Sequence, residues 1–279
     1  MLINRLNLAL LFALTSTTTL AATDNTYQHD ASLEYVGSSE AFDDGTWNTN
    51  YRYYFAPVSQ DTVPYALSGF LAQTSNIGAN YAGFEGDLDA YGVNGQYVFA
   101  SKWFIGANYQ NLSADLFDSD TYGASVGYYF NSTSSVYLGY SKNDKDYDIG
   151  FGAKASADLD TYNLGIRSFL PLQTTAGIDL TAQLFLSQSD YTVKNSPYGA
   201  DMSDSNNTTA LMLSADWYLT RAWSVGANYS VQEDTDPYGI STAYHWRLTD
   251  SFSAIARASK SFEPDEDGVF LSLGINGRF

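Results

Sequence analysis

Gly268-Val-Phe-Leu-Ser-Leu-Gly-Ile-Asn-Gly-Arg-Phe279 finishes the chain on an aromatic residue. In an extended strand Val269, Leu271, Leu273, Ile275 and Phe279 share one face, and Ser272, Gly274, Asn276 and Arg278 share the other. Lipid wets one face of a membrane-spanning β-strand and water the other, so apolar-out, polar-in alternation is what such a strand requires. A half-buried strand of a soluble sandwich has the same period but does not ordinarily stop on Phe. The stretch therefore predicts an all-β, up-and-down antiparallel transmembrane barrel.

The other end of the chain supplies an address. Arg5 is the one charge before Asp24, Leu6 to Leu14 is a short apolar run, and Thr19-Leu20-Ala21 offers small residues for cleavage. The run falls well short of the roughly 20 apolar residues that a membrane helix needs, so it reads as a secretory signal peptide over 1–21. Cleavage is expected after Ala21 or Ala22, leaving one barrel domain over 22–279. With no Cys at the cleavage point a lipoprotein anchor is not expected, and no other stretch is long enough for a membrane helix.

Composition agrees with an exported barrel. Without any Cys, no disulfide framework holds the chain, and a closed ladder of strands must do so instead. Asp plus Glu number 31 against 13 Lys plus Arg, a formal net charge of −18, which argues against a nucleic-acid partner. The 23 Tyr and modest aliphatic content suit a thin lipid-facing band around a wet interior better than a packed soluble core.

Alternation marks fourteen segments, near 31–37, 47–56, 64–75, 86–99, 103–114, 120–130, 135–147, 157–170, 178–191, 207–219, 223–234, 238–247, 252–261 and 268–279. Twelve or sixteen strands are the neighbouring even counts, and the first segment is the weakest. Short connections at 100–102, 131–134, 220–222 and 248–251 alternate with longer stretches rich in Asp, Ser, Asn and Gly, which read as outer loops. In that register Phe55, Tyr65, Phe99, Trp103, Phe130, Phe169, Trp217, Trp223, Trp246, Phe252 and Phe279 cluster at the periplasmic end. Trp47, Tyr109, Tyr122, Tyr147, Tyr229, Tyr238 and Phe262 cluster at the outer end, so two girdles are expected. Inward neighbours such as Asn94, Gln96, Asn108, Ser125 and Asn228 make a polar interior that favours a pore.

Beyond the terminal strand, Tyr51-Arg-Tyr-Tyr-Phe-Ala-Pro-Val58 and Val63-Pro-Tyr-Ala-Leu-Ser-Gly-Phe-Leu71 carry a resemblance. The chain resembles Gram-negative outer-membrane porins, and more specifically the putative general bacterial porin family. That resemblance implies passive diffusion of ions and small hydrophilic solutes, and residence in the outer membrane beside lipopolysaccharide. It also implies an assembly signal read by the barrel-assembly machinery at Leu273, Gly274, Ile275 and Phe279. No loop is plainly long enough to fold inward as in trimeric general porins, so monomer and homo-oligomer both stay open.

Parity places Arg52, Arg167, Arg247, Arg257 and Arg278 inside, with Glu34, Asp179 and Asp216 as inward acids. Closing the ring gathers four of those arginines onto one arc, which would set a transverse field across the bore. Alternatively the arginines only satisfy nearby carboxylates or sit at the mouth. Remaining acids gather toward the outer rim, as solubilising loops, as sites for divalent cations that bridge to lipopolysaccharide phosphates, or as a mouth that enriches cations. Asp144-x-Asp146-x-Asp148 is not an EF-hand, because Ile149 stands where Gly is needed and Ala155 where the bidentate Glu would be.

Catalysis is not expected. His29 and His245 are the two histidines, there is no Cys, and no metal-ligand spacing or cofactor motif is present. Two other readings stay open: a substrate-specific channel or receptor, for oligosaccharides for example, with Tyr54, Phe70, Tyr129, Phe185 and Tyr218 as an aromatic track, or a structural or adhesive barrel acting through acidic loops.

Overall fold

The computed structural model describes residues 25–84, 88–114, 117–148, 154–194, 202–233, 235–264 and 268–279. Residues 1–24, with the expected signal peptide, lie outside them, as do the acids Asp115, Asp201, Asp234 and residues 265–267.

Fourteen strands form one closed antiparallel ring. They are β1 (Thr26–Ser38), β2 (Ala41–Ser59), β3 (Asn76–Gly83), β4 (Asp89–Val98), β5 (Trp103–Ala114), β6 (Phe117–Asn131) and β7 (Ser134–Asp148), followed by β8 (Lys154–Leu170), β9 (Gly177–Lys194), β10 (Met202–Tyr218), β11 (Trp223–Val231), β12 (Tyr238–Arg247), β13 (Phe252–Glu263) and β14 (Phe270–Arg278). Each pairs with its chain neighbours, and β14 closes on β1 in the register Asp30↔Arg278, Leu33↔Ile275, Ser38↔Phe270. Closure leaves no unpaired edge, which lipid could not hydrogen-bond. An even count returns residues 25 and 279 to one rim, referred to below as the periplasmic rim.

The lipid face follows the alternation. Val126, Leu138, Leu164, Ile166, Leu273 and Ile275 are all exposed although apolar. Below this belt Phe55, Trp103, Phe130, Trp217, Trp223, Trp246 and Phe252 are exposed near the periplasmic rim, and Tyr122, Tyr162, Tyr229 and Tyr238 stand toward the outer side. These rings sit at headgroup level, where an amphipathic ring is best solvated. Phe169 and Tyr65 depart from the expected girdle: Phe169 points inward and is 4% exposed, and Tyr65 lies outside the strands with its ring against Arg221 and Arg247.

Two expectations about connections are corrected. Residues 64–75 form no strand: a 3-10 turn over Tyr65–Leu67 runs into a single helical turn, α1 (Ser68–Leu71), and the third strand is β3. Pro64 has no N–H to donate to a ladder, so an edge-free sheet cannot take it in. The longest connection among the described elements, 60–75, is thus periplasmic. Conversely, the Asp- and Ser-rich stretches read as outer loops belong to strands. β8, β9 and β10 run 17, 18 and 17 residues, well past the 9–11 or so that span hydrocarbon, so their upper halves stand in water. Asp144, Asp146 and Asp148 accordingly lie on extended β7, which rules out a calcium loop there.

Candidate functional site: the lumen and its periplasmic mouth

Segment 60–75 turns into the bore. Leu67 packs with Phe169 of β8 and Tyr218 of β10, flanked by Leu71 and Ala176. Its neighbour Ser68 shares a 2.8 Å hydrogen bond with the Tyr27 hydroxyl of β1. β1 and β8 are opposite members of a fourteen-strand ring, so two consecutive residues that touch both must lie across the bore. Leu67 is 2% exposed, and Val58, Pro64 and Ser68 are comparably buried. An apolar knot of this kind is held by the area it removes from water, about 2 kcal/mol for a Leu. Polar ties extend it: Gln73 Nε2 donates to the Asn131 carbonyl at 2.7 Å, and Lys102 Nζ donates to Gln73 Oε1 at 3.0 Å.

Arginines surround this segment. Arg278 donates to Asp30 at 3.1 Å and, at 3.0 Å each, to Gln60 Oε1 and the Tyr65 carbonyl. Its guanidinium also lies over the Tyr27 ring. Arg221, in the β10–β11 turn, donates to the Val63 carbonyl at 3.1 Å and lies 4.9 Å from the Tyr65 ring centre. Arg247 approaches the same ring to 5.5 Å and donates to Asn25 and the Asp250 carbonyl. On the far wall Arg167 covers the Phe70 ring at 4.4 Å while its fork engages Asp179, with a 2.7 Å contact. Planar guanidinium suits both tasks, since one edge hydrogen-bonds while the face stacks.

Arg52, the cross-strand partner of Asp30, donates to Asn76; higher in the bore, Arg257 is bonded to Glu34, which also accepts from Ser272. Asp216 is the direct cross-strand partner of Asp179. Its carboxylate occupies the space that a Cβ on Gly226 would need, as the Asn163 amide does beside Gly139. Small residues on one strand thus make room for polar side chains of the next, and the wall is lined with amides, hydroxyls and charges.

Of the expected lumen residues, Arg167, Arg257, Arg278, Glu34 and Asp179 are held in ion pairs, Arg247 stands 3.8 Å from Asp250, Arg52 donates to the Asn76 amide, and Asp216 lies across from Asp179. Arg167 pairs with Asp179, Arg257 with Glu34 and Arg278 with Asp30; Arg247 and Arg278 also clamp the segment. The expected aromatic track is partly dismantled: Phe70 belongs to the segment, Tyr129 lies 6.2 Å from it, and Tyr54 and Tyr218 are buried around the same fold. Sequence reading missed Arg221, Asp30 and Gln60. Arg221 sits in a turn, where strand parity gives no direction. Of the expected assembly-signal positions, Leu273 and Ile275 face lipid, Gly274 sits against the β1 backbone, and the Phe279 ring meets Phe252 edge-on at 5.3 Å. His29 bonds the Tyr51 hydroxyl, and His245 is buried in the wall.

The chain matches the model of the putative general bacterial porin family over residues 3–272. It belongs to that family. Comparison with curated protein sequences found no match. Among solved structures the porin is similar to the outer-membrane protein Omp33 of Acinetobacter baumannii, at 19% identity and a TM-score of 0.59, covering 92% of this chain and 100% of that one. It is more distantly similar to the Ralstonia pickettii toluene transporter TbuX, at 10% identity and TM-score 0.48, covering 91% and 90%. The KdgM porin follows at 8% identity and TM-score 0.38, covering 90% and 99%. At 19% identity the likeness to Omp33 establishes shared architecture. Family and polar bore together make this an outer-membrane porin.

Proposed function

We propose that the porin passes ions and small hydrophilic solutes by passive diffusion, with size limited by segment 60–75 and charge preference set by its two walls. The observation that carries this is the crossing of the bore at Leu67–Ser68, beneath a lumen lined by polar side chains. One arc, from β11 round to β2, carries Arg52, Arg221, Arg247, Arg257 and Arg278 against Asp30 and Glu34. The adjoining wall on β8–β10, which faces β1–β3, carries Arg167 against Asp179 and Asp216. Stretches of wall that differ in charge turn and sort dipolar solutes as they pass.

Nothing in this reading requires catalysis, and the two histidines serve wall contacts. Export by the signal peptide at 1–21 and recognition of the terminal strand by the assembly machinery belong to the same proposal. The test is planar-bilayer recording of the refolded mature chain, with folding confirmed by heat-modifiable gel mobility. Stable open steps are expected, with a reversal potential that shifts toward cations in Arg257→Glu. A folded barrel without steps would overturn the diffusion reading, and an unmoved reversal potential would overturn the role given to the walls.

A further inference from the structure

We propose that Arg221, Arg247 and Arg278 form a binding site at the periplasmic mouth for a small multivalent oxyanion, an organic di- or tricarboxylate or a phosphate. The inference deepens the diffusion reading by naming a solute class. Three guanidinium groups converge on one residue: two lie against the Tyr65 ring and the third holds its carbonyl.

Most acceptors they meet are neutral: the carbonyls of Val63, Tyr65 and Asp250, and the amides of Asn25 and Gln60. The carboxylates nearby do not match them one for one. Asp30 engages Arg278, and Asp61 accepts from Asn25 rather than from an arginine. Asp250 stands 3.8 Å from Arg247 with a fully exposed side chain, where water screens most of the attraction.

Arg221 forms no ion pair among the described residues, and its Nη2 is buried without a hydrogen-bond partner. A guanidinium N–H left unpaired is costly. Because Nη2 is buried, an oxyanion meets this fork only when the partly exposed Arg221 side chain turns toward the mouth, and it then answers the fork with two parallel hydrogen bonds. Arg247 and Arg278 keep 21% and 12% of their side-chain surface, so the cluster can be reached from the mouth. A halide offers one acceptor atom and cannot give each fork two parallel hydrogen bonds, whereas a solute with two or more charged oxygen groups can. In a chain of net charge −18, this cluster of three arginines, of which only Arg278 holds a close carboxylate, selects at the neck of the channel against the sign that the rest of the molecule favours.

The test is titration calorimetry of the complete refolded barrel with citrate, inorganic phosphate and glycerol. Citrate, phosphate or both should bind once per barrel and glycerol should not. Arg221→Gln and Arg247→Gln should each weaken binding about tenfold, the loss of a charge-assisted fork. Arg221→Lys, which keeps charge but not the fork, should fall between them and the parent, and keeps the test open if the Gln variant does not fold. Lys142→Gln, on the outer rim, should bind as the parent does. Citrate binding alone would assign an organic carboxylate, and phosphate alone a phosphate-bearing solute. No binding by either, or binding unchanged in Arg221→Gln and Arg221→Lys, overturns the site. Potassium chloride conductance measured alongside separates the two readings: conduction without binding rejects the site and keeps the channel, and binding without conduction does the reverse.

Discussion

At the outer rim Asp120, Asp144, Asp158 and Asp190 are direct cross-strand partners in one row over β6, β7, β8 and β9. At the periplasmic rim Arg221, Arg247 and Arg278 close around Tyr65 inside the bore. Neighbouring strands lie about 4.8 Å apart, so the outer row puts like charges side by side, an arrangement that costs stability in a sheet. It survives because those strand ends project into water and salt, because Lys142 reaches Asp144 at 2.5 Å, and because Asp120 accepts from the Tyr109 hydroxyl at 2.7 Å and the Asn111 amide at 3.1 Å. The arginines have no such bath. Confined in the neck, they recruit carbonyls, amides and ring faces, and so organise the segment that crosses the bore. Charge in water is tolerated; charge in a neck dictates structure.

Replacing 61–74 by a short Gly-Ser turn gives the largest effect expected of this contrast. Single-channel conductance should rise severalfold, and a conductance equal to that of the parent would mean that the segment does not limit flow. Next comes Leu67→Ala, which opens a cavity beneath Phe169 and Tyr218 and should cost about 3 kcal/mol in urea unfolding of the lipid-reconstituted barrel. Phe70→Ala removes the ring under Arg167, a loss of about 1 kcal/mol, and should move the reversal potential toward anions as that guanidinium is released. Asp144→Asn with Asp158→Asn is the mildest. Conductance should not change, and the thermal transition should depend less on monovalent salt than the parent's, because two members of the like-charged row are gone. Equal salt dependence would show that the row is already neutralised.

Strand count and lipid face were legible because each strand reports its own alternation, independently of the others. The third strand was misplaced for a specific reason. Asn76-Ile-Gly-Ala-Asn-Tyr-Ala-Gly83 does alternate, Ile77, Ala79 and Tyr81 against Asn76, Gly78 and Asn80, but the signal is only eight residues long and ends with Ala82 and Gly83 on the opposite faces. Val63 to Leu71 carries larger apolar residues and took its place, although Pro64 argued otherwise. The upper halves of β8–β10 passed for loops because Asp, Ser and Asn look alike in a loop and in a ladder above the membrane. Inward charges followed from parity, yet their pairing did not, since partners such as Arg257 and Glu34 are 223 positions apart and meet only when the ring closes.

That separation has a consequence for assembly. Arg278 holds Gln60 and the Tyr65 carbonyl across 218 and 213 positions, and it rides on the strand that seals β1. Contacts of such long sequence separation form late, after the chain between them has been ordered. A half-built barrel therefore has its neck segment unlatched, and the same zippering event that completes the wall fastens the constriction. Tightness is a property only of the finished article: a stalled assembly intermediate would leak, and leakage during biogenesis would report how far the seam has advanced.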